Sequence, residues 1–375
     1  MILFLKQGVV NDMALRFFIN FNLFVLSFFC KEASMSIVSE HKNNVKVLDC
    51  TLRDGGYVND WNFKSDGITS LVDNLNRSGI KYIELGFLQS KVFSAEYSLF
   101  TEIDAVKGFC VESLQSILTL MINFGEYPIS KIPPAFSNKI ALRVAFKKFQ
   151  LKEALLFCRQ LVDKGYDVFV NPMHTNTYSV SDLQKLVSEV NSFKPKALTI
   201  VDTNGAMKEC EVLSYFGVIS GLLHPSISLG FHSHNNLQLS LSNAKCLINV
   251  HSDRELIIDS TLMGMGRGAG NLCTEVFLQY MNENYDTNYD MNFIYNVIDK
   301  VISPIYKRNP WGHSLYYYLA AVNNCHPNYA KYLMSCSNVP LNRAKEIFLT
   351  MPIDKKTLFD EMFIKDLVAL NYSNT

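Results

Sequence analysis

From residue 45 to 281 the chain alternates short apolar runs with longer segments whose apolar positions recur every three or four residues. The short runs are Val45–Cys50, Tyr82–Phe87, Ile117–Ile122, Ile140–Phe146, Val168–Pro172, Leu198–Asp202, Ile227–His232 and Leu256–Ser260. Most are largely apolar, as parallel strands covered on both faces require. The longer segments predict helices over Ser65–Arg77, Leu151–Lys164, Ser181–Phe193, Cys210–Leu222 and Leu237–Ile248. Ser181 and Asp182 offer capping chemistry at one start, and Gly165 follows one end. Eight β/α alternations favour a closed (β/α)8 TIM barrel over an open, doubly wound sheet. The third unit is the weakest, because residues 90 to 134 are loop-rich and carry Pro128, Pro133 and Pro134.

After Met281 the pattern changes to helical pieces at Tyr316–Val322, Ala330–Leu333 and Leu341–Phe348. The expected organisation is an N-terminal extension over 1–44, a barrel over 45–281 and a helical C-terminal extension over 282–375. The first 34 residues are unlike the rest. They contain Phe17-Phe18-Ile19 and Leu23 to Phe29, which read either as a signal-like core or as a mis-called start ahead of Met35. Asn20 and Asn22 interrupt the run too early for a membrane span.

Composition narrows the function. There are 35 basic and 35 acidic residues and no net charge, so no nucleic-acid or membrane-surface footprint is expected. The nine cysteines are scattered without a C-x-x-C pair, which predicts reduced thiols and a cytoplasmic location.

Chemistry-bearing residues collect at the C-terminal ends of the predicted strands, where barrel active sites form. His232 and His234 in Gly230-Phe231-His232-Ser233-His234-Asn235-Asn236 share one face of a strand, since residues i and i+2 point the same way. Asp54 ends the first strand unit in Leu52-Arg53-Asp54-Gly55-Gly56. One carboxylate and two imidazoles suit a divalent ion such as Mn²⁺, Co²⁺ or Zn²⁺, with Mg²⁺ tolerated. A 2-oxo acid could chelate such an ion, which would then polarise the carbonyl, while Arg53 would face the developing enolate charge. The second strand contains Glu84, and Asn171, His174, Asp202, Thr203 and Asp259 sit at other strand ends. The loop Gly264-Met265-Gly266-Arg267-Gly268-Ala269-Gly270-Asn271 follows the last strand and lacks a P-loop Lys-Ser/Thr. Taken singly, each feature has an ordinary reading as a cap, a turn or a surface charge. His41, His174, His224, His251 and His326 are read as ordinary histidines.

Thr51-Leu52-Arg53-Asp54-Gly55, His232 to Leu237, and Gly264 to Asn271 with Glu275 resemble the motifs of the DRE-type TIM-barrel metallolyases. That superfamily includes 4-hydroxy-2-oxovalerate aldolase, hydroxymethylglutaryl-CoA lyase and isopropylmalate synthase. The run Asp259 to Asn271 is most similar to the 4-hydroxy-2-oxovalerate aldolase branch. The resemblance implies Asp54, His232 and His234 as metal ligands, with Asn271 as a further one. It implies Arg53 as enolate stabiliser, and Glu84, Asp202 and Thr203 as substrate-binding residues. It also implies a pyruvate aldolase acting on a 2-oxo acid and an aldehyde, with self-association or a dehydrogenase partner among the expectations. Two departures stand out. The aldolases carry a histidine three residues after the metal-binding Asp, where this chain has Tyr57, and a Gly-Tyr pair in the C-terminal region, matched loosely by Gly312-His313. A reciprocal exchange would make Tyr57 and His313 the catalytic pair. Gly56-Tyr57 replaces the Glu-Gln of the acyl-CoA-condensing branch, which leaves a Claisen-type enzyme as the alternative and a non-catalytic, partner-binding barrel as a second one.

Overall fold

A computed structural model describes residues 44–91, 94–250, 252–336 and 339–372; the extension before Asn44 lies outside the described residues. Its strands are β1 (Val45–Asp49), β2 (Tyr82–Leu88), β3 (Leu99–Phe100), β4 (Ile117–Asn123), β5 (Ile140–Phe146), β6 (Asp167–Pro172), β7 (Ala197–Asp202), β8 (Ser228–Ser233) and β9 (Leu256–Ser260). All are parallel. β1 pairs with both β9 and β2, which closes the ring, and the two-residue β3 attaches to the outside of β2. The eight barrel strands are the eight read from the apolar runs, so the (β/α)8 expectation holds.

The flanking helices follow from their periodicity. In the helix Ser65–Arg77, Ile68, Leu71, Val72 and Leu75 are buried, a single i, i+3, i+4, i+7 stripe facing the sheet. The helix Val180–Phe193 begins one residue earlier than predicted. Its cap is Ser179, not Ser181: Ser179 Oγ accepts from the Asp182 amide, and Asp182 Oδ2 accepts from the Ser179 amide.

Two crossovers depart from the ideal. The connections β2–β4 and β4–β5 carry only the short 3₁₀ turns Ile103–Phe109 and Ile129–Lys131. Neither connection has a 3.6-residue apolar period, and the second also carries Pro128, Pro133 and Pro134, so nothing propagates a helix. Ile103, Val106, Tyr127 and Ile132 instead cover the outside of these strands and are buried in the same core as the barrel.

The barrel core extends beyond residue 281. Ile294, Val297, Ile302 and Ile305, from the helices Met291–Val297 and Ser303–Arg308 and the turn between them, are buried in it. A second apolar cluster forms around Tyr329, Leu333, Ile347, Phe348 and Ile364, supplied by the helices Leu315–Val322, Pro327–Ser335, Leu341–Thr350 and Glu361–Tyr372. No helix among the described residues is long and apolar enough to cross a membrane.

Candidate metal centre and active site

The C-terminal ends of the strands surround a cavity of about 560 Å³. Arg53, Asp54, His232 and His234 line its floor region, and Tyr57, His174, Thr203, Arg267 and His326 also contribute to its wall. Asp54 follows β1 in a tight turn, its amide donating to the Cys50 carbonyl at 2.8 Å. His232 lies in β8, and His234 lies just beyond it, so the pleat turns both rings to one side. Their centroids are 5.0 Å apart and the rings are nearly perpendicular, at 87°.

Three donor atoms converge. His232 Nε2 lies 3.2 Å, and His234 Nε2 3.5 Å, from Asp54 Oδ2. The far side of each ring is engaged. His232 Nδ1 lies 3.0 Å from Asp259 Oδ2, and His234 Nδ1 3.1 Å from the Asp202 carbonyl oxygen. A neutral ring donating from Nδ1 turns the lone pair of Nε2 towards Asp54, the carboxylate–histidine arrangement that orients metal-binding imidazoles. Such a donor set fits a divalent cation. Asn271 Oδ1 is another buried acceptor with no hydrogen-bond donor, and Asn271 is joined to His234 by an antiparallel bridge. Cys50 Sγ lies within the same donor cluster, but its thiol donates to the Ser260 carbonyl. Burial pushes its pKa well up, so it is held as the neutral thiol rather than the thiolate that binds metal.

The ligands belong to a closed circuit of buried charge. Arg53 Nη1 is 3.3 Å from Asp54 Oδ1, and Arg53 Nε is 2.7 Å from Glu84 Oε2. Arg143 Nη1 reaches the same Glu84 oxygen at 3.0 Å, and Arg143 Nη2 pairs with Asp259 Oδ2, which holds His232. Arg143 is fully buried inside the barrel. Two guanidiniums therefore face three carboxylates, one negative charge in excess. Burial works against every charge here, but Arg53 and the imidazoles hold Asp54 well below the usual carboxylate range, and Arg143 and His232 lower Asp259. Burial disfavours the His232 cation, yet Asp259 and Asp54 raise its pKa, so a proton on His232 balances the excess when no metal is bound. A divalent cation together with a substrate carboxylate would balance the same charge.

Neighbouring loops lock this arrangement. Asn236 Nδ2 donates to the Asn204 carbonyl at 2.9 Å, and Asn236 Oδ1 accepts from the Ala269 amide at 2.8 Å. The glycine-rich loop is thereby tied to the β7 and β8 ends. Its glycines permit close approach: Gly270 has φ +85°, and a Cβ there would lie 1.9 Å from the Gly264 carbonyl oxygen. Gly86, at a bulge in β2, has φ +148° and would drive a Cβ to 1.8 Å from the Ser98 carbonyl oxygen. This bulge falls directly after Glu84.

The expected site residues do not all reach the cavity. Arg53, Asp54, Tyr57, Thr203, His232 and His234 line it. Glu84 is not among the lining residues; it is buried between the two arginines. The Asp202 carboxylate accepts from the Ala206 and Met207 amides at 2.9 and 3.0 Å, so it shapes the loop after β7. His313 is exposed and does not line the cavity. The C-terminal imidazole that does so is His326, at the start of the helix Pro327–Ser335. His174, His326 and Arg143 were passed over by sequence reading. An arginine amid the apolar run Ile140–Phe146 was the available signal for the last; the two histidines carry no local motif.

Acid sensitivity follows from the rings held neutral. Burial lowers the pKa of His174 and His234 to about 4 and that of His326 to about 3, against 6.5. The folded state thus forgoes protons that the unfolded chain takes up below pH 6.5. Stability from these rings is full above that value and is lost on acidification, by about 1.4 kcal/mol per pH unit for each ring. Burial raises Asp49 and Asp202 to about 6, which offsets part of the loss below pH 6. Thermal unfolding with chelator present should therefore show a Tm that falls between pH 6.5 and 5; a flat or rising Tm would contradict this charge assignment.

Comparison with known proteins agrees with the geometry. Residues 136–301 match the family described as HMGL-like. An oxaloacetate decarboxylase of Mycobacterium tuberculosis is 25% identical over 239 residues, covering 63% of this chain and 69% of that protein. A 4-hydroxy-2-oxovalerate aldolase of Bacillus cereus is 26% identical over 245 residues, covering 64% and 70%. The crystal structure of the N-terminal domain of a Bacteroides vulgatus protein provisionally assigned as an aldolase is 28% identical, with a TM-score of 0.67, covering 80% of this chain and 99% of that one. The chain thus folds as a barrel closed by eight parallel strands, and its segment 136–301, which supplies the His-x-His strand, matches the HMGL-like family.

Proposed function

We propose that the protein is a metal-dependent lyase of the pyruvate aldolase type, which breaks or forms the C3–C4 bond of a 4-hydroxy-2-oxo acid. The observation that carries the proposal is the convergence of Asp54, His232 and His234 beside the Arg53 guanidinium on the cavity floor. A divalent cation held by these three residues, with Asn271 Oδ1 as a further ligand, would supply Lewis acidity at the oxo-acid carbonyl. Mn²⁺ is the ion we favour, since an N₂O₂ donor set of this kind also accepts Mg²⁺, Co²⁺ and Zn²⁺.

The chain's own residues supply the rest. Arg53 is fixed by Glu84 and Asp54, so its guanidinium is already oriented where enolate charge develops and needs no reorganisation. His326 moves the proton of the 4-hydroxyl. Its Nδ1 accepts from the Asn328 amide at 3.2 Å, which leaves Nε2 to exchange a proton with the ligand. Burial lowers the pKa of this ring, so it is uncharged at neutral pH. Tyr57 forms part of the aldehyde side of the cavity, packed edge-on against Trp61 with centroids 4.8 Å apart. Small-molecule partners, a 2-oxo acid and an aldehyde, follow from this chemistry.

The M. tuberculosis relative's name favours one second reading, decarboxylation of a 2-oxo diacid. That reaction also passes through an enolate of pyruvate but has no 4-hydroxyl proton to remove. A pyruvate-release screen over 4-hydroxy-2-oxo acids and oxaloacetate, with and without chelator, tests both. Chelator-sensitive pyruvate release from a hydroxy-oxo acid supports the aldolase; release from oxaloacetate alone supports the decarboxylase; thioester cleavage without pyruvate supports the acyl-CoA alternative. His326→Ala should lower aldol cleavage by about 10²–10⁴-fold, while His313→Ala leaves it within twofold. Equal losses in the two variants would remove His326 from its role.

A further inference from the structure

We infer that the cavity is built for a substrate with a second anionic group, on the aldehyde half, held by Lys147 and Arg267. This inference rests on the 2-oxo-acid reading above and adds the chemical class of the other half. Both cations line the same cavity as the metal centre. Lys147 directly follows β5, and Arg267 lies in the glycine-rich loop after β9. Neither forms an ion pair or a side-chain hydrogen bond with any described residue. The adjacent Lys148 differs: it pairs with Asp182 at 2.7 Å. The third cation of the cavity, Arg53, is already occupied by Glu84 and Asp54.

Arg267 is nonetheless positioned. Its guanidinium lies over the Tyr57 ring, 4.1 Å from the centroid, and Tyr57 is itself wedged against Trp61. The contact holds the guanidinium at the cavity wall without using any of its N–H donors. Lys147 follows β5 and Arg267 follows β9, four strands apart in the closed eight-stranded ring, so the two cations reach the cavity from opposite sides of the barrel. His174 also lines the cavity, and its Nδ1 is buried with no hydrogen-bond partner. Among the described residues, the only carboxylate besides Asp54 that lines the cavity is Glu126, which is exposed and accepts from Asn123 Nδ2.

The charge count points the same way. The circuit beneath the floor is neutralised by a divalent cation and one substrate carboxylate, which leaves Lys147 and Arg267 against the single exposed carboxylate Glu126. A ligand bearing one further carboxylate or phosphate-like group would satisfy both, with charge-assisted hydrogen bonds in a partly desolvated site. A volume of about 560 Å³ also leaves room beyond the oxo-acid end for such a group.

Three analogues of equal chain length, none with a 4-hydroxyl to cleave, test the inference by calorimetry on the Mn²⁺-loaded full chain. They are 2-oxopentanoate, 2-oxoglutarate and 2-oxo-4-phosphonobutanoate. The doubly anionic ligands should bind about tenfold or more tightly than 2-oxopentanoate, and the tighter of the two identifies the anion as carboxylate or phosphate-like. R267Q and K147Q should each collapse that ratio towards one, and added salt should shrink it. Binding of all three within twofold of each other would overturn the inference while leaving the oxo-acid reading standing. Binding of none would overturn both.

Discussion

Asp54→Asn should give a folded protein that retains no divalent cation and shows no chelator-sensitive turnover. The loss follows from the donor geometry. Asp54 is the carboxylate facing both Nε2 atoms, at 3.2 and 3.5 Å, and a carboxamide supplies neither the charge nor a second equivalent oxygen. The survival of the fold follows from the charge circuit. Arg53 keeps Glu84 at 2.7 Å, and His232 keeps Asp259 at 3.0 Å. Removing one negative charge leaves two guanidiniums against two carboxylates, a balanced buried set. Elemental analysis after gel filtration, paired with circular dichroism, checks both halves. A variant that holds stoichiometric metal would show that the cation sits elsewhere.

Arg143→Met should have the opposite profile: a severe loss of stability, by about 3–5 kcal/mol. Arg143 is fully buried and is the only link between Glu84 and Asp259 in the circuit. Methionine fills much of the same volume, so the cost is electrostatic rather than a cavity. Three carboxylates would face one guanidinium in a water-poor interior. Asp259 would lose its anchor, and with it the orientation of His232. Urea unfolding monitors the stability, with Arg143→Lys as the companion variant that restores the charge but not the forked geometry. Arg143→Met as stable as the parent would show that the circuit contributes little to folding. Loss of metal affinity by about 10–100-fold in any folded fraction would mark Arg143 as a positioning residue acting through Asp259 and His232.

The contrast between the two variants reflects how the site was built. The strands were legible because parallel strands covered on both faces need continuous apolar runs, and β5 and β9 were found with their observed ends. Asp54, His232 and His234 were legible because the two-residue repeat of a strand fixes the direction of a His-x-His pair. Glu84 within the second strand and Asp202 at the end of the sixth predicted strand were recognised as polar residues of the barrel, but nothing local distinguishes a carboxylate that meets substrate from one that holds an arginine or caps a loop. Glu84 points to Arg53 and Arg143 because β2 lies beside β1 and two strands away from β5 in the closed ring, a tertiary fact. His326 was missed for the same reason. It enters the cavity from a helix whose placement depends on the second apolar cluster, so neither spacing nor periodicity marks it, and the chosen His313 is exposed. Helical crossovers are lacking only between β2 and β5, where the sequence offers no helical period and, after β4, three prolines.

Anomalous diffraction from crystals grown with Mn²⁺ tests the central claim most directly. A single strong peak at coordination distance from Asp54 Oδ2, His232 Nε2 and His234 Nε2 is the predicted result, with the Arg53 guanidinium beside it. A peak at any other group of side chains, or none at the convergence of these three, would contradict the account.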